Sequence, residues 1–182
     1  MMRRQLLTLL AAVPFLRSTP VPAAAPPSKT AVDDMRKNWR MLLAKNADIA
    51  KNADPVTMSE AAWRQLLTPA AFNVLRQEGT ERPFASALNN EKRAGVFVCA
   101  GCSLPLFTSQ MKFDSGTGWP SFITSIPDAF AQKVDTKIFY ERDEYHCVKC
   151  GGHHGHVFDD GPPPTGQRWC NNGVALRFIP LA

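Results

Sequence analysis

The sequence predicts a mainly β fold, an antiparallel domain entered through short N-terminal helices. Beyond Pro83 glycine and proline recur, and the runs "AGVFVCA", "TKIFYE", "YHCVK" and "GVALRFI" are rich in the aromatic and β-branched residues of strands. In the last run Val174, Leu176 and Phe178 alternate with Ala175, Arg177 and Ile179, the period of a strand with one face in the core. A length of 182 residues with 45% apolar content suits one ordinary core and leaves little for a second.

The elements follow in chain order. Residues 1–31, "MMRRQLLTLLAAVPFLRSTPVPAAAPPSKTA", have a charged start, an apolar run at Leu6–Leu16 and small residues at Ala23–Ala25, the layout of a cleavable export signal. Arg3-Arg4 before "QLL" resembles a twin-arginine signal, which predicts a bacterial periplasm. An acid-poor mitochondrial transit peptide is the alternative, and Arg17, Ser18 and Lys29 suit it. Pro20–Lys29 is a Pro/Ala-rich linker, and residues 32–55 form a polar arm expected to be helical. The main domain is expected over 56–182. It opens on two helices. Ser59 caps one that carries Ala61, Trp63, Leu66 and Leu67 on its apolar side, and Thr68 caps the next, with Pro69 at its first position and Gly79 as its stop.

The charge excludes one class of function. The net charge is +5, but residues 1–32 hold Arg3, Arg4, Arg17 and Lys29 and no acid. Taking these four from the 21 bases leaves 17 against 16 acids, so the domain has no basic stripe for a nucleic acid. No run of 18 apolar residues appears, so no membrane span is expected.

Cys99-x-x-Cys102 and Cys147-x-x-Cys150 are two metal hooks. Two intervening residues let a tight turn bring both sulfurs to about 2.3 Å from one ion, and two such turns complete a tetrahedron. Gly101 and Gly151 offer the backbone freedom such turns use. Four thiolates favour zinc and leave no open position, so one structural Zn2+ per chain is expected. Disulfides or a redox-active pair are the alternative. A thioredoxin-type pair should open a long helix, however, whereas Pro105 and Gly151-Gly152 follow here. A zinc-ribbon binding module is a further alternative.

With four of the five cysteines on metal, Cys170 is free. Arg168, two residues before it, is expected to lower its pKa and populate the thiolate. His153, His154 and His156 lie upstream in "GGHHGHVFDDG". On a regular strand His153 and His156 would not share a face, but Gly152 and Gly155 favour a turn that could bring both rings to the thiol, making a nucleophile with an acid/base partner. The cluster could also be a second metal site, although the four cysteines already complete one coordination sphere. In "KFDSGTGWPSF" glycines flank Thr117, and Trp119-Pro120 presents an indole that can wall an apolar pocket with its N–H in water.

"CAGC", "KFDSGTGWPSF", "CVKCGGHHGHVFDDGPPPTG" and "RWCNNGVALRF", preceded by "GTERPFASALNNEKRAGVFVC", together resemble the methionine-R-sulfoxide reductases of the B type, over Leu66 to Pro180. The resemblance implies a fold of two antiparallel sheets with a structural zinc on the cysteine hooks. It implies reduction of methionine (R)-sulfoxide, free or in oxidised proteins, by a monomer. By motif, Cys170 resembles the nucleophile that becomes a sulfenic acid, and His153, His156 and Asn172 the groups that bind substrate and assist protonation. Arg168 and Asp160 match supporting positions, and Trp119 the wall for the methyl group. Many members carry a cysteine that resolves the sulfenic acid where this chain has Thr117, so an external thiol is expected here: thioredoxin, a thioredoxin-like protein, or glutaredoxin with glutathione. His154 stands where an apolar residue is commoner and is expected at the surface. Trp169 replaces a commoner tyrosine and is expected to keep its packing.

Overall fold

Val96, Phe97, Val98 and Cys99 are fully buried, and their strand β1 (Gly95–Cys99) is the middle of a three-stranded sheet between β2 (Pro105–Thr108) and β9 (Leu176–Pro180). The computed structural model describes residues 25–135 and 142–181. A second, six-stranded sheet runs in the order β3 (Lys112–Phe113), β4 (Ser121–Phe122), β8 (Arg168–Asn171), β7 (His153–Phe158), β6 (Arg142–Cys147), β5 (Phe130–Asp135). Every pairing in both sheets is antiparallel. The expected mainly β fold of two antiparallel sheets is therefore what forms.

Aromatic side chains join the sheets. Phe107 of β2 stacks on Phe122 of β4 with ring centroids 3.9 Å apart, and Phe97 of β1 meets the same ring edge-on. Phe130, Tyr145 and Trp169 continue the cluster across β5, β6 and β8. Offset and edge-on pairs of this kind each add roughly 0.5–1.5 kcal/mol beyond the area they bury. Trp169 thus packs in the core.

The helices form where their caps predict. Ser59 Oγ accepts from Ala62 N at 3.2 Å and Thr68 Oγ1 from Ala71 N at 3.2 Å, opening α2 (Glu60–Leu66) and α3 (Pro69–Gln77); the helix that precedes them is α1 (Lys29–Lys37). Trp63 and Leu67 are buried, whereas Leu66 is 56% exposed. The stop differs from the expected one: Glu78, not Gly79, takes the left-handed conformation (φ 56°), and Gly79 N closes the helix end on the Asn73 carbonyl. The run "GVALRFI" also starts later as a strand, because Gly173–Ala175 is a 3-10 turn. The run "TKIFYE" and the N-terminal signal lie outside the described residues.

Helix α1 starts before residue 32 because Ser28 caps it. After a 3-10 turn at Trp39–Leu42 the arm is irregular, and it runs across both cysteine turns. Ala50 N donates to Ser103 O at 2.9 Å and Val56 N to Lys149 O at 2.7 Å. Met35, Trp39, Leu42 and Ile49 pack on the core.

Candidate active site and metal centre

The two cysteine turns have one shape. In the first, Cys99 N donates to Leu104 O and Ser103 N to Cys99 O; in the second, Cys147 N donates to Gly152 O and Gly151 N to Cys147 O. The left-handed residue is the fifth of each turn, Ser103 (φ 59°) and Gly151 (φ 66°). Gly101 is not at positive φ, so its expected conformational role falls to Ser103. The hooks end β1 and β6, and their sulfurs meet between the sheets. Cys99 and Cys150 Sγ are 3.6 Å apart and Cys102 and Cys147 Sγ 3.5 Å. All four sulfurs lie within 4.8 Å of one another. These separations are far longer than a disulfide bond of about 2.05 Å and close to the roughly 3.8 Å edge of a tetrahedron with 2.3 Å Zn–S bonds. Its three neighbouring sulfurs, with burial, push the Cys99 thiol well up, so thiolates packed this closely need a cation. The four cysteines are the structural zinc site.

Cys170 is the remaining thiol. It lies in the middle of the six-stranded sheet, with Ser121 of β4 opposite on one side and His156 of β7 on the other. With Trp119, His156, Phe158, Asn172 and Thr80 it lines a pocket of about 120 Å³. Burial raises its pKa above the ordinary thiol value, and the Arg168 charge and the nearby Thr117 hydroxyl offset that only in part. The expected lowering by Arg168 is therefore outweighed. Arg168 instead forms a two-point ion pair with Asp160, at 2.7 and 2.9 Å, and its guanidinium sits 4.3 Å above the Phe158 ring.

A β-bulge, not a turn, brings the histidines together. His146 pairs with His153 and Tyr145 with Gly155, which leaves His154 as an extra residue in β7. The extra residue restores the alternation, so His153 and His156 share a face with ring centroids 5.5 Å apart. His156 reaches the pocket, while His153 lies behind it, fully buried, with Nδ1 on the Glu144 carboxylate. A Cβ at Gly155 would lie 1.9 Å from the Cys170 carbonyl oxygen, so the close approach of β7 to β8 requires glycine there.

His154 is fully buried, against the surface position expected. The bulge turns it to the opposite face, where it stacks near Tyr145 and meets the Phe130 edge. Burial lowers its pKa to about 3. Between that value and the unfolded value of about 6.5 the unfolded chain binds the extra proton, so this contribution is lost as pH falls through that window. From pH 7 to 4.5 the loss is on the order of 2–3 kcal/mol. His154→Leu, of similar volume and without the titrating ring, should remove that part of the pH dependence. Urea midpoints at the two pH values check it, and equal drops in both proteins would exclude the assignment.

Two residues not singled out from the sequence organise the site. Glu81 accepts from the backbone N–H groups of Gly173 (2.5 Å) and Val174 (3.1 Å), its carbonyl accepts from Trp119 Nε1 at 3.2 Å, and its own N–H donates to Asn172 Oδ1 at 2.9 Å. The Trp119 N–H is therefore bonded to protein and not to water. Asn172 Nδ2 donates to the His154 carbonyl at 3.0 Å, which ties the pocket rim to the bulge. Tyr145 OH donates toward the Cys170 carbonyl and Asn171 Oδ1, each at 3.0 Å. An acidic residue among "GTERPF" turns is the one local sign of Glu81; Tyr145 reads in sequence as an ordinary strand aromatic.

Fold and site together define a zinc-anchored β protein that presents one unligated thiol beside a histidine in a small, largely apolar pocket. The SelR domain family matches residues 67–180. Peptide methionine sulfoxide reductase MsrB of Methanosarcina barkeri is 52% identical over 124 residues, covering 68% of this chain and 87% of that protein. The protein of the same name in Pseudomonas putida is 53% identical over 119 residues, 65% of this chain and 90% of its own length. Peptide methionine sulfoxide reductase B1, chloroplastic, of Arabidopsis thaliana is 46% identical over 137 residues, 75% of this chain and 68% of its own. The chain belongs to the SelR, or MsrB, family of methionine sulfoxide reductases.

Proposed function

We propose that this chain reduces methionine (R)-sulfoxide, free or in oxidised proteins, through Cys170 alone. The placement of Cys170 directly across from His156 in a pocket walled by Trp119 is the observation that carries the reading. The pocket has room for the end of an unbranched side chain, with the indole and Phe158 offering apolar surface to the methyl group. A sulfoxide sulfur is a poor electrophile until its oxygen is protonated, and a buried thiol that holds its proton at neutral pH brings that proton to the site. His156, with a ring nitrogen able to take and return a proton, passes it to the sulfoxide oxygen as the sulfur of Cys170 attacks. The oxygen ends on Cys170: sulfoxide and thiol become thioether and sulfenic acid, with no other reactant. His153 braces His156 from behind, Asn172 fixes the rim, and the Arg168–Asp160 pair holds positive charge near the thiol.

The sulfenic acid then accepts two electrons from two external thiols, releasing water and leaving their disulfide. A thioredoxin-like protein, or glutaredoxin with glutathione, supplies them. Export to a periplasm rests on the N-terminal sequence, with Arg3-Arg4 ahead of an apolar run and the small residues at Ala23–Ala25; mitochondrial import is the alternative. No helix of the described residues is long and apolar enough to cross a membrane, and a monomer suffices because every proposed group comes from one chain.

The test is a single turnover with each sulfoxide epimer in the absence of reductant. The R epimer should be consumed faster, with one oxygen gained on Cys170 and the other four cysteines unchanged by mass spectrometry. Preference for the S epimer, or an intramolecular disulfide as the main product, would overturn the reading.

A further inference from the structure

Behind the active site, β6 and β7 bring together three ligand-bearing side chains that neither the zinc hooks nor the pocket uses as ligands: Glu144, His146 and His153. His153 Nδ1 is 2.5 Å and His146 Nε2 3.0 Å from the same oxygen, Glu144 Oε1, and the three ligand atoms lie within 4.8 Å of one another. The other carboxylate oxygen, Oε2, pairs with Lys133 Nζ at 3.3 Å. We infer that Glu144, His146 and His153 form a second metal site, distinct from the four-cysteine zinc, for a divalent transition ion of the Zn2+ or Co2+ type.

The setting of His146 supports this. Its Nδ1 is 3.3 Å from the Gly151 carbonyl, which only accepts, so a hydrogen on Nδ1 would anchor the ring there and leave Nε2, 3.0 Å from Glu144 Oε1, to face an ion. An imidazole whose second nitrogen donates to a backbone carbonyl is held as metal-ligating histidines are. Two imidazole nitrogens and one carboxylate suit borderline divalent ions and leave positions for water. Tetrahedral metal–ligand bonds of 2.0–2.2 Å set neighbouring ligand atoms roughly 3.3–3.6 Å apart. The His146–Glu144 separation is within about half an ångström of that, and the His153–Glu144 contact opens by about one ångström around an ion. Glu144 and His153 are buried, and the His146 side chain, 15% exposed, gives the ion its way in from solvent. An occupant would fix the His153 ring that packs against His156.

The test uses the full chain with its structural zinc in place, freed of loosely held metal with a weak chelator and titrated with cobalt(II) chloride. One further equivalent should bind, with visible ligand-field bands and no thiolate-to-cobalt charge-transfer band. His146→Gln should lose that equivalent while its structural zinc, measured separately, stays stoichiometric. The inference fails if the unaltered chain binds no cobalt beyond its zinc, if the bound cobalt carries the thiolate band, or if His146→Gln binds it equally.

Discussion

Removing the structural zinc, or replacing Cys99 by serine, should destabilise this protein as a whole rather than only slow it. The cysteine turns belong to different sheets: Cys99 and Cys102 join β1 to β2, while Cys147 and Cys150 join β6 to β7. Zinc is thus a bolt between the three-stranded and the six-stranded sheet at one end, while the Phe107–Phe122 stack joins them in the interior. The arm adds to the dependence, because Ala50 and Val56 hydrogen-bond to the cysteine turns themselves. Apparent binding energies of structural zinc are about 10–16 kcal/mol in isolated fingers, as large as the whole stability of a typical domain, roughly 5–15 kcal/mol. The aromatic core keeps part of the fold, so a loss on the order of 5 kcal/mol is expected, which lowers Tm by roughly 10–20 °C in a chain of this size. Calorimetry of Cys99→Ser, with the zinc content measured alongside, checks it. A variant that lost its zinc yet melted within a degree or two of the unaltered chain would show that the core alone holds the sheets together.

What the sequence made legible follows the range over which each feature is decided. Ser59, Thr68 and Pro69 act on backbone within three residues of themselves, and the helices start where these residues predict. The cysteine spacing is equally local: each pair closes its own turn, and only the meeting of the two turns is a long-range event. The histidines were harder because their geometry depends on a register shift between β6 and β7 that no residue in "GGHHGH" announces. That shift places His153 and His156 on one face and buries His154. Cys170 shows a related limit. Its neighbour Arg168 argues for a thiolate, but the pKa is decided by burial in the central strand of a sheet assembled from distant segments. Glu81 joins positions 38 and more than 90 residues away, and a sequence motif carries no sign of that span.

Cys170→Ser is expected to abolish turnover to the uncatalysed background, because a serine oxygen cannot accept the sulfoxide oxygen and no other unligated thiol lies in the chain. Loss of activity alone would also follow from misfolding, so the informative companion is Thr117→Cys. Thr117 Oγ1 lies 2.8 Å from Ser115 Oγ, which in turn lies 2.7 Å from Ser121 Oγ, and Ser121 of β4 pairs with Cys170 of β8. The flanking Gly116 and Gly118, both at positive φ (70° and 91°), shape the loop that brings position 117 to Cys170. A sulfur at position 117 therefore stands where it can attack the sulfenic acid. The exchange balances as sulfenic acid plus thiol giving one disulfide and one water. After one turnover without reductant, the unaltered chain should hold an oxygen on Cys170, whereas Thr117→Cys should hold a disulfide between residues 117 and 170 with its zinc cysteines intact. Peptide mapping by mass spectrometry separates the two products. Cys170→Ser should give neither, and residual sulfoxide turnover in that variant would move the chemistry away from Cys170. If Thr117→Cys instead accumulates the sulfenic acid, position 117 does not reach the reacting sulfur. The reach of one side chain would then decide whether this enzyme depends on an outside thiol at the sulfenic acid or only after a disulfide has formed.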